Sequence, residues 1–212
     1  TSVGSYGVDE GAHVGYDKTL CADCAGTIAL GETKTCTITN NDQQAYITVV
    51  KVVTNDNGGS ANPDDFYLTL EGGAVTSGVA VPVNPGTYTA DETLLSGYTF
   101  EGFTGACDLN GDVTVALGES KTCTLTNNDQ QSYMIVDKTV INDNGGNAVA
   151  DQFLLTVDAG YVLDGVAVPV NPGVHTAGET LFSGYTAGVW GGDCDTNASV
   201  TVALGQTKTC TI

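Results

Sequence analysis

The chain has 212 residues, and its 25 acidic residues against six lysines give a formal net charge of −19 at pH 7. This balance excludes a nucleic-acid partner, which needs a basic surface, and fits a solvated outer surface whose charges repel one another. The 28 glycines, with Val, Thr and Tyr in short runs, predict an all-β fold with many turns. No apolar run reaches the roughly 18 residues of a membrane helix, so we predict no membrane span in this sequence.

The first 43 residues resemble the second half of a repeat whose complete copy follows. Gly15-Tyr16 echoes Gly97-Tyr98, and Lys34-Thr35-Cys36 echoes Lys121-Thr122-Cys123. We therefore predict that residues 1–43 are the C-terminal half of a β-sandwich repeat. Because this half supplies closing strands without opening strands, we expect a neighbouring subunit or a further stretch of the same protein to cover its open face.

Residues 44–130 form one complete predicted repeat, and residues 131–212 form another that lacks its last residues. The segment Tyr46–Cys123 matches Tyr133–Cys210 without a gap, at an offset of 87 residues. Such a period predicts small modules strung end to end. The motif Cys-Thr-Leu-Thr-Asn-Asn-Asp-Gln-Gln breaks off at Ile212 in its last copy, so we expect a longer array or completion by neighbouring chains.

Short alternating segments separated by Gly, Asn and Pro predict the strands of each module. Helical periodicity is absent. The predicted strands of the complete repeat lie at residues 47–53, 66–70, 79–83, 87–93, 98–103, 113–117 and 122–127. The sequence therefore predicts tandem Ig-like β-sandwiches, each with a thin core that gains stability from covalent ties.

Six of the seven cysteines fall into three pairs of similar spacing, which indicates an oxidising, extracellular compartment. Cys107 and Cys123 lie sixteen residues apart around a glycine turn, and Cys194 and Cys210 repeat this spacing. A disulfide that closes such a loop contributes roughly 3 kcal/mol to stability in the chain-entropy model. We predict that both pairs are disulfides.

The first 43 residues hold three cysteines, of which only two can pair with each other. Cys24 leads into the turn before Cys36, so we favour a Cys24–Cys36 disulfide, and Cys21–Cys36 is the rival pairing. The cysteine that is left over, Cys21 in the favoured pairing, is a candidate for a link to another chain.

Strand parity directs three kinds of polar side chain towards the core. Residues two apart on a strand share a face, so a polar residue in step with apolar neighbours points inward, as Lys51 does beside Ile47 and Val49. The inward candidates are Lys51 and Lys138 on the opening strand, Glu92 and Glu179 on a middle strand, and Asn40 and Asn127 on the last strand.

Polar groups aimed at one core are costly unless they satisfy one another. The simpler interpretation is a buried Lys–Glu ion pair. The alternative is a permanent crosslink, because burial lowers the pKa of a lysine amine and so makes it a nucleophile. A carboxylic acid kept protonated by burial then polarises the asparagine carbonyl and moves the proton. Attack of the amine releases ammonia and leaves an amide bond.

Three motifs carry a resemblance to a known family. They are Ile47-Thr48-Val49-Val50-Lys51, Pro85–Thr93 followed by Gly97-Tyr98, and Thr124-Leu125-Thr126-Asn127. Together they resemble CnaB/SpaA-type repeats of the prealbumin-like fold, which occur in microbial pilins, adhesin stalks and large surface proteins. The resemblance covers essentially the whole chain, and it implies an isopeptide bond between the opening-strand lysine and the last-strand asparagine, with the glutamate as catalyst.

By this resemblance, the complete repeat supplies a full set and the flanking segments supply partial ones. The sets are Lys51, Glu92 and Asn127 in the complete repeat, Lys138 and Glu179 in the next, and Glu10 and Asn40, without a matching lysine, in the first segment. The cysteine pairs depart from the pilin pattern and resemble a disulfide-bearing subset of the family. In that alternative the disulfide replaces the isopeptide bond.

Two weaker signals concern ligands and modification. The loop Asn55–Gly59 contains Asp56 and, with Asp64 and Asp65, offers oxygen ligands for calcium, but Asn-Gly is also the commonest hairpin turn. No other cofactor is indicated. Asn197-Ala198-Ser199 is the only N-glycosylation sequon, so Asn197 is a candidate for a glycan.

No nucleophile elbow, phosphate loop or histidine cluster predicts catalytic turnover, so we do not predict an enzyme. The repeats predict a structural extracellular protein of the cell surface, namely a subunit or segment of a filament, stalk or surface array. We expect head-to-tail self-association, with glycans as further partners. The alternative is an adhesin that binds carbohydrate or protein ligands, and a third interpretation is a spacer attached to an enzyme domain.

Overall fold

The computed structural model describes residues 3–212 of the chain. The described helices are short 3-10 turns at Ala22–Cys24, Pro63–Asp65 and Ala150–Gln152, and none of them has the length and apolar character of a membrane-spanning helix. The described residues form two compact units. The first comprises residues 3–51, Tyr67–Glu92 and Phe103–Leu125, and the second comprises Val52–Phe66, Thr93–Gly102 and Thr126–Ile212.

The segment before the complete repeat contributes four short strands. They are β1 (Gly4–Gly7), β2 (Tyr16–Leu20), β3 (Ala25–Ile28) and β4 (Ile38–Asp42). β1 pairs antiparallel with β3, and β2 pairs antiparallel with β4, so each pair is a two-stranded sheet. Most side chains on these strands are exposed. The segment therefore has little core of its own.

The complete repeat folds as two four-stranded sheets. Its strands are β5 (Ala45–Thr54), β6 (Tyr67–Leu70), β7 (Gly73–Val75), β8 (Ala80–Val83), β9 (Gly86–Thr93), β10 (Tyr98–Gly105), β11 (Asp112–Val115) and β12 (Ser120–Asp129). One sheet has the order β10-β12-β5-β8 and the other has the order β11-β9-β6-β7. The last strand of the repeat thus lies beside the first.

The second repeat has the same architecture. Its strands are β13 (Ser132–Asp137), β14 (Leu155–Val157), β15 (Gly160–Val162), β16 (Val168–Val170), β17 (Gly173–Glu179), β18 (Gly191–Gly192), β19 (Ser199–Val202) and β20 (Thr207–Thr211). The sheets have the orders β16-β13-β20-β18 and β15-β14-β17-β19. β13 and β20 run parallel, with Val136 opposite Cys210. The prediction of tandem all-β sandwiches is confirmed.

The side-chain alternation of a β-strand explains which residues enter the core. On β5, Ala45, Ile47, Val49 and Lys51 are buried while Tyr46 is exposed, because successive side chains point to opposite faces. Lys51 therefore points inward, as strand parity predicts.

The core of the second repeat shows why these modules depend on covalent ties. Met134 and Val136 from one sheet meet Leu155 from the other in a cluster of ten buried residues. Cys194 and Cys210 belong to the same cluster. Because so few residues form the core, the disulfide between these cysteines adds a large share of the module's stability.

Two details of the strands differ from the sequence prediction. β7 and its counterpart β15 were not predicted, because three-residue strands that begin at a glycine are too short to show alternation. Leu94, which alternation would set on the same face as Glu92, lies outside the core, because β9 ends at Thr93 and Leu94 is 65% exposed.

The same contact recurs at both points where one module follows another. A Cβ atom added to Gly15 would lie 2.9 Å from the Leu117 side chain, and one added to Gly97 would lie 2.9 Å from Leu204. The Gln43 amide donates to the Gly15 carbonyl at 2.7 Å, and Gln130 donates likewise to Gly97 at 2.8 Å. Each glycine thus accommodates a leucine from the next module.

We expect Gly97→Ala to destabilise the chain more than Gly184→Ala does. Both glycines have positive φ, +83° and +85°, so both substitutions incur backbone strain of about 1–2 kcal/mol. Only Gly97 faces a leucine, whereas no atom lies within 4 Å of the Cβ position of Gly184. Overpacking adds about 1–3 kcal/mol at Gly97. Denaturant unfolding of the two variants measures the difference, and equal losses would show that the leucine contact contributes nothing.

Candidate functional site

Lysine and glutamate side chains with little exposure form matching pairs in the two repeats. Lys51 Nζ lies 2.5 Å from Glu92 Oε2, and the two side chains are 0% and 3% exposed. Lys138 Nζ lies 2.7 Å from Glu179 Oε2, with side chains 6% and 4% exposed. Lys138 also lies 4.6 Å from the centroid of the Phe153 ring, a cation–π distance. The structure thus brings together the lysine and glutamate predicted for each repeat.

Burial controls the protonation of Lys51. Desolvation is the largest influence and lowers the pKa of its amine, while the hydrogen bond and charge of Glu92 oppose the change without cancelling it. A lowered pKa increases the fraction of neutral amine, which is the nucleophilic form. The second carboxylate oxygen of Glu92, Oε1, is buried and has no hydrogen-bond partner among the described residues. Asn127 on β12 is fully buried as well.

The first segment places its candidate residues differently. Lys18, which the sequence analysis did not select, lies opposite Asn40 in the β2–β4 ladder, donates to the Glu10 carbonyl oxygen at 2.7 Å and pairs with Asp9. Asn40 is exposed, and Glu10 is half-buried. Lys18 lies on β2, the second of the four strands of this segment, rather than on an opening strand, so the family order gave no reason to consider it.

Three disulfides link a cysteine on the last strand of a module, or two residues before it in the first segment, to a cysteine earlier in the chain. They are Cys24–Cys36, Cys107–Cys123 and Cys194–Cys210, with sequence separations of 12, 16 and 16 residues. These are the pairings that the spacing favours. Cys123 and Cys210 are fully buried, so each disulfide is part of its module's core.

Cys21 is an exposed free thiol beside the first disulfide. Its Sγ lies 3.6 Å from Cys24 Sγ and accepts a hydrogen bond from the Thr37 amide at 3.2 Å. Cys36 Sγ lies in the same cluster, with all three sulfur atoms within 4.8 Å of one another. The two candidate pairings are therefore separated by a small movement of sulfur atoms.

A carboxylate that the sequence analysis overlooked organises the loop proposed for calcium. Asp129 is 3% exposed and accepts hydrogen bonds from the backbone amides of Asp56, Asn57 and Gly59 at 3.0, 2.9 and 2.6 Å. Burial alone raises the pKa of Asp129, but the hydrogen bonds, led by those from Gly59 and Asn57, lower it by more. The carboxylate is therefore held ionised. The Asp of the repeated Thr-Asn-Asn-Asp motif was the available signal.

The carboxylates predicted to bind calcium are engaged in local hydrogen bonds. Asp56 Oδ1 accepts from the Asn57 side chain at 2.6 Å, and Asp65 Oδ2 accepts from the Asn62 amide at 2.7 Å. Asp64 lies on the same 3-10 turn as Asp65. Calcium binding by Asp56, Asp64 and Asp65 stays a prediction.

Both repeats match one family model. The matched residues are 42–125 and 129–212, and the model describes a prealbumin-like fold domain of the SpaA type. The chain belongs to this family. It consists of two tandem prealbumin-like domains preceded by the segment with β1–β4, and the predicted resemblance to SpaA-type repeats is confirmed.

Solved structures provide distant comparisons for these prealbumin-like domains. The chain is similar to the Bacillus anthracis TIE protein, with 15% identity and a TM-score of 0.47 over 89% of this chain and 37% of that one. It is also similar to the pilus adhesin SpaC from Lactobacillus rhamnosus GG, with 12% identity and a TM-score of 0.32 over 97% of this chain and 42% of that one. The chain thus spans less than half of either protein. No curated protein sequence matches it.

One ionisable cluster distinguishes the second prealbumin-like domain from the first. His175 Nδ1 lies 2.6 Å from Asp158 Oδ2, and Nε2 lies 2.7 Å from the Asn171 carbonyl oxygen. In the first domain, the Tyr88 hydroxyl donates to the corresponding carbonyl, that of Asn84, at 2.9 Å. Because Asp158 and Asn171 both offer acceptors, the doubly protonated imidazolium satisfies both contacts.

Asn197 lies in an exposed turn of the second domain. Its backbone amide donates to Asp195 Oδ1 at 2.9 Å, and the following residue, Ala198, has a positive φ of 65°. The side chain of the sequon asparagine is therefore accessible to solvent.

We expect the stability of the second domain to fall as pH rises, in proportion to the loss of the His175 proton. Burial lowers the pKa of His175, but Asp158 and the Asn171 carbonyl raise it by more, so the folded pKa exceeds the unfolded value of about 6.5. The stabilisation is complete below about pH 6.5 and is lost as pH passes the folded pKa. Its size is at most about 1 kcal/mol, because Asp158 is 50% exposed and water screens the pair.

The matched variant is His175→Tyr, which installs the residue of the first domain. Thermal unfolding of both proteins between about pH 5 and pH 9 compares their slopes. The stability of the variant should not show the decline with rising pH that we expect for the wild type. Identical slopes would show that His175 does not contribute to pH-dependent stability.

Proposed function

We propose that this chain is a structural segment of an extracellular surface filament, stalk or array, in which the prealbumin-like domains act as covalently tied spacers. The observation that carries this proposal is that both domains hold their strands together with the same two interactions. Both domains join their last strand to the body by a disulfide sixteen residues in span. Both also bury a Lys–Glu pair. Repeated internal ties suit a spacer, whose task is to keep its shape.

The same disulfides support an extracellular compartment. Six of seven cysteines are paired, and such density is typical of proteins that fold in an oxidising environment outside the cytosol. The net charge of −19 keeps an exposed surface hydrated. We therefore propose a location at the cell surface, and the exposed side chain of Asn197 is compatible with a glycan there.

An isopeptide bond between Lys51 and Asn127 is part of this proposal. In the reaction, Lys51 Nζ attacks the side-chain carbon of Asn127, a C–N bond forms, and Nδ2 leaves as ammonia. Glu92, already on Lys51, carries the proton from the amine to the leaving group. Three observations support it, namely the burial of all three residues, the lowered pKa of Lys51, and their order along the strands. An amide removes a buried charge that would otherwise cost several kcal/mol.

Intact-mass measurement of the reduced, denatured chain tests this bond. We expect the wild type to weigh one ammonia less than its sequence, and Glu92→Gln to have the full mass while retaining the fold. Lys51→Met, which removes the nucleophile, is the control for full mass. A wild type with the full sequence mass would refute the bond and leave Lys51 held by the ion pair with Glu92 alone.

Head-to-tail self-association is the proposed route from chain to array. The strands β1–β4 form two separate two-stranded sheets with mostly exposed side chains, an arrangement that favours strand addition from another segment. The exposed thiol of Cys21 offers a covalent link between copies. Lys138, Glu179, Glu10 and Asn40 remain crosslink candidates of the flanking segments.

Immunogold electron microscopy of native cells distinguishes the structural role from adhesion. With antibodies to the second domain, we expect label at regular intervals along surface fibres or across a surface array. Label confined to fibre tips would instead support the adhesin alternative. Label only on dispersed, secreted molecules would contradict both the filament and the array.

A further inference from the structure

The cysteines of the first segment depart from the pattern of the two domains. In both domains the cysteine on the last strand pairs with a cysteine sixteen residues earlier. The sequence Ala-Leu-Gly-Glu leads into Cys36 as it leads into Cys123, and the cysteine that comes nearest to this spacing before Cys36 is Cys21, fifteen residues away. The structure instead pairs Cys36 with Cys24, twelve residues away. The repeat and the structure therefore assign two different partners to Cys36.

The sulfur atoms of these three cysteines form one cluster. Cys21 Sγ lies 3.6 Å from Cys24 Sγ, and all three sulfur atoms lie within 4.8 Å of one another. The Thr37 amide donates to Cys21 Sγ at 3.2 Å, and such a hydrogen bond becomes charge-assisted when the sulfur is a thiolate. The thiolate is the form that attacks a disulfide. The free sulfur is thus positioned as a nucleophile beside an existing disulfide.

We propose that Cys21, Cys24 and Cys36 form a thiol–disulfide exchange site in which Cys36 alternates between two partners. The Cys21 thiolate attacks Cys36 Sγ, and a Cys21–Cys36 bond forms as the Cys24–Cys36 bond breaks. The electron pair of the broken bond leaves on Cys24 Sγ, which takes up the proton that Cys21 lost. The site holds one disulfide and one thiol before and after the step, so the exchange consumes no oxidant or reductant.

The chain around the site gives neither pairing a large advantage. Cys21 and Cys24 lie at the two ends of one 3-10 turn, so both disulfides tie this turn to the residue that leads into β4. The loops that the disulfides close span fifteen and twelve residues, and the chain-entropy model favours the longer one by only about 1.4-fold. On chain entropy, the two states are close enough for both to be populated.

The exchange changes which sulfur the chain presents to solvent. Cys21 is exposed, whereas Cys24 is 3% exposed, and a buried thiol reacts poorly with external reagents. The corresponding Cys107 is half-buried in a complete domain, so a sulfur at this position reaches solvent there as well. With Cys21 free, the site can react with the disulfide of a small molecule or of another protein. Cys21 Sγ then bonds to one sulfur of that disulfide, and the other sulfur leaves as a thiolate.

The second pairing protects the free thiol. Once Cys21 is bonded to Cys36, the remaining thiol belongs to the buried Cys24, and the site no longer reacts with external disulfides. The proposed link between copies through Cys21 is then available in one state and absent in the other. The exchange itself does not depend on that link.

Mapping of the free thiol in the wild-type chain tests the exchange. The chain is held at neutral pH, quenched with acid to protonate thiolates, and then unfolded, alkylated and digested without reduction. We expect the alkylated residue to be Cys21 in some molecules and Cys24 in others, with the minor form at about 1% or more. Alkylation at Cys21 alone would overturn the proposal.

The disulfides of the two domains are the internal control for this mapping. Cys107–Cys123 and Cys194–Cys210 should each be recovered as a single pair, because each domain contains only two cysteines. Mixed pairs between the domains would show that the disulfides exchange during handling, and the two labelled forms would then count against a specific site.

A pair of matched variants tests the second pairing directly. We expect Cys24→Ser to form a Cys21–Cys36 disulfide and to lose the free thiol entirely. Cys21→Ser should keep the Cys24–Cys36 disulfide and also lack a free thiol, so it is the control that cannot exchange. Free thiols at both Cys21 and Cys36 in the Cys24→Ser chain would refute the second pairing. None of these outcomes depends on whether the chain assembles into a filament.

Discussion

The pairing of each domain's last strand with its first is the constraint on which the rest of the structure depends. β20 lies parallel to β13 in the second domain, and β12 lies beside β5 in the first. These partners are far apart in sequence, so forming the pair closes a long loop at an entropic cost. The last strand offsets that cost by carrying the buried disulfide cysteine of its domain, Cys123 or Cys210.

The last strand of the first domain also carries the polar residues that fix its surroundings. Asn127 is buried in step with Cys123, and Asp129 gathers the amides of a distant loop. Immediately afterwards, the Gln130 side chain lies against Gly205 of the next domain. The nine-residue motif that begins at Cys123 therefore supplies a disulfide cysteine, a buried asparagine, the carboxylate that holds a distant loop, and a residue that contacts the next domain. This combination is consistent with the single difference, Ile38 against Leu125, between the two complete copies of the motif.

The sequence was sufficient for features that repeat or alternate. The offset of 87 residues revealed the modules. Parity placed Lys51 in the core because alternation along the strand sets it on the same face as Ile47 and Val49. The spacing of the cysteines indicated their pairs. These signals are strictly local or strictly periodic, so they survive without knowledge of the tertiary structure.

Contacts between a strand and a loop elsewhere in the sequence were not predictable. Asp129 on β12 lies 72 residues from Asn57, and His175 on β17 contacts Asp158 in a turn. The sequence spacing of neither pair predicts the contact. Lys18 was missed for a related reason, because the ladder register that sets it opposite Asn40 is fixed by pairing and not by composition.

The disulfides set how far a pulled chain can lengthen. The residues between Cys107 and Cys123, and those between Cys194 and Cys210, cannot be drawn out while the bonds persist, even from an unfolded domain. At roughly 3.5 Å per residue, each loop of sixteen residues withholds about 55 Å of contour length. The redox state of the surroundings therefore controls how far the chain can be extended by force. Under reducing conditions the same sequence reaches a greater maximum length.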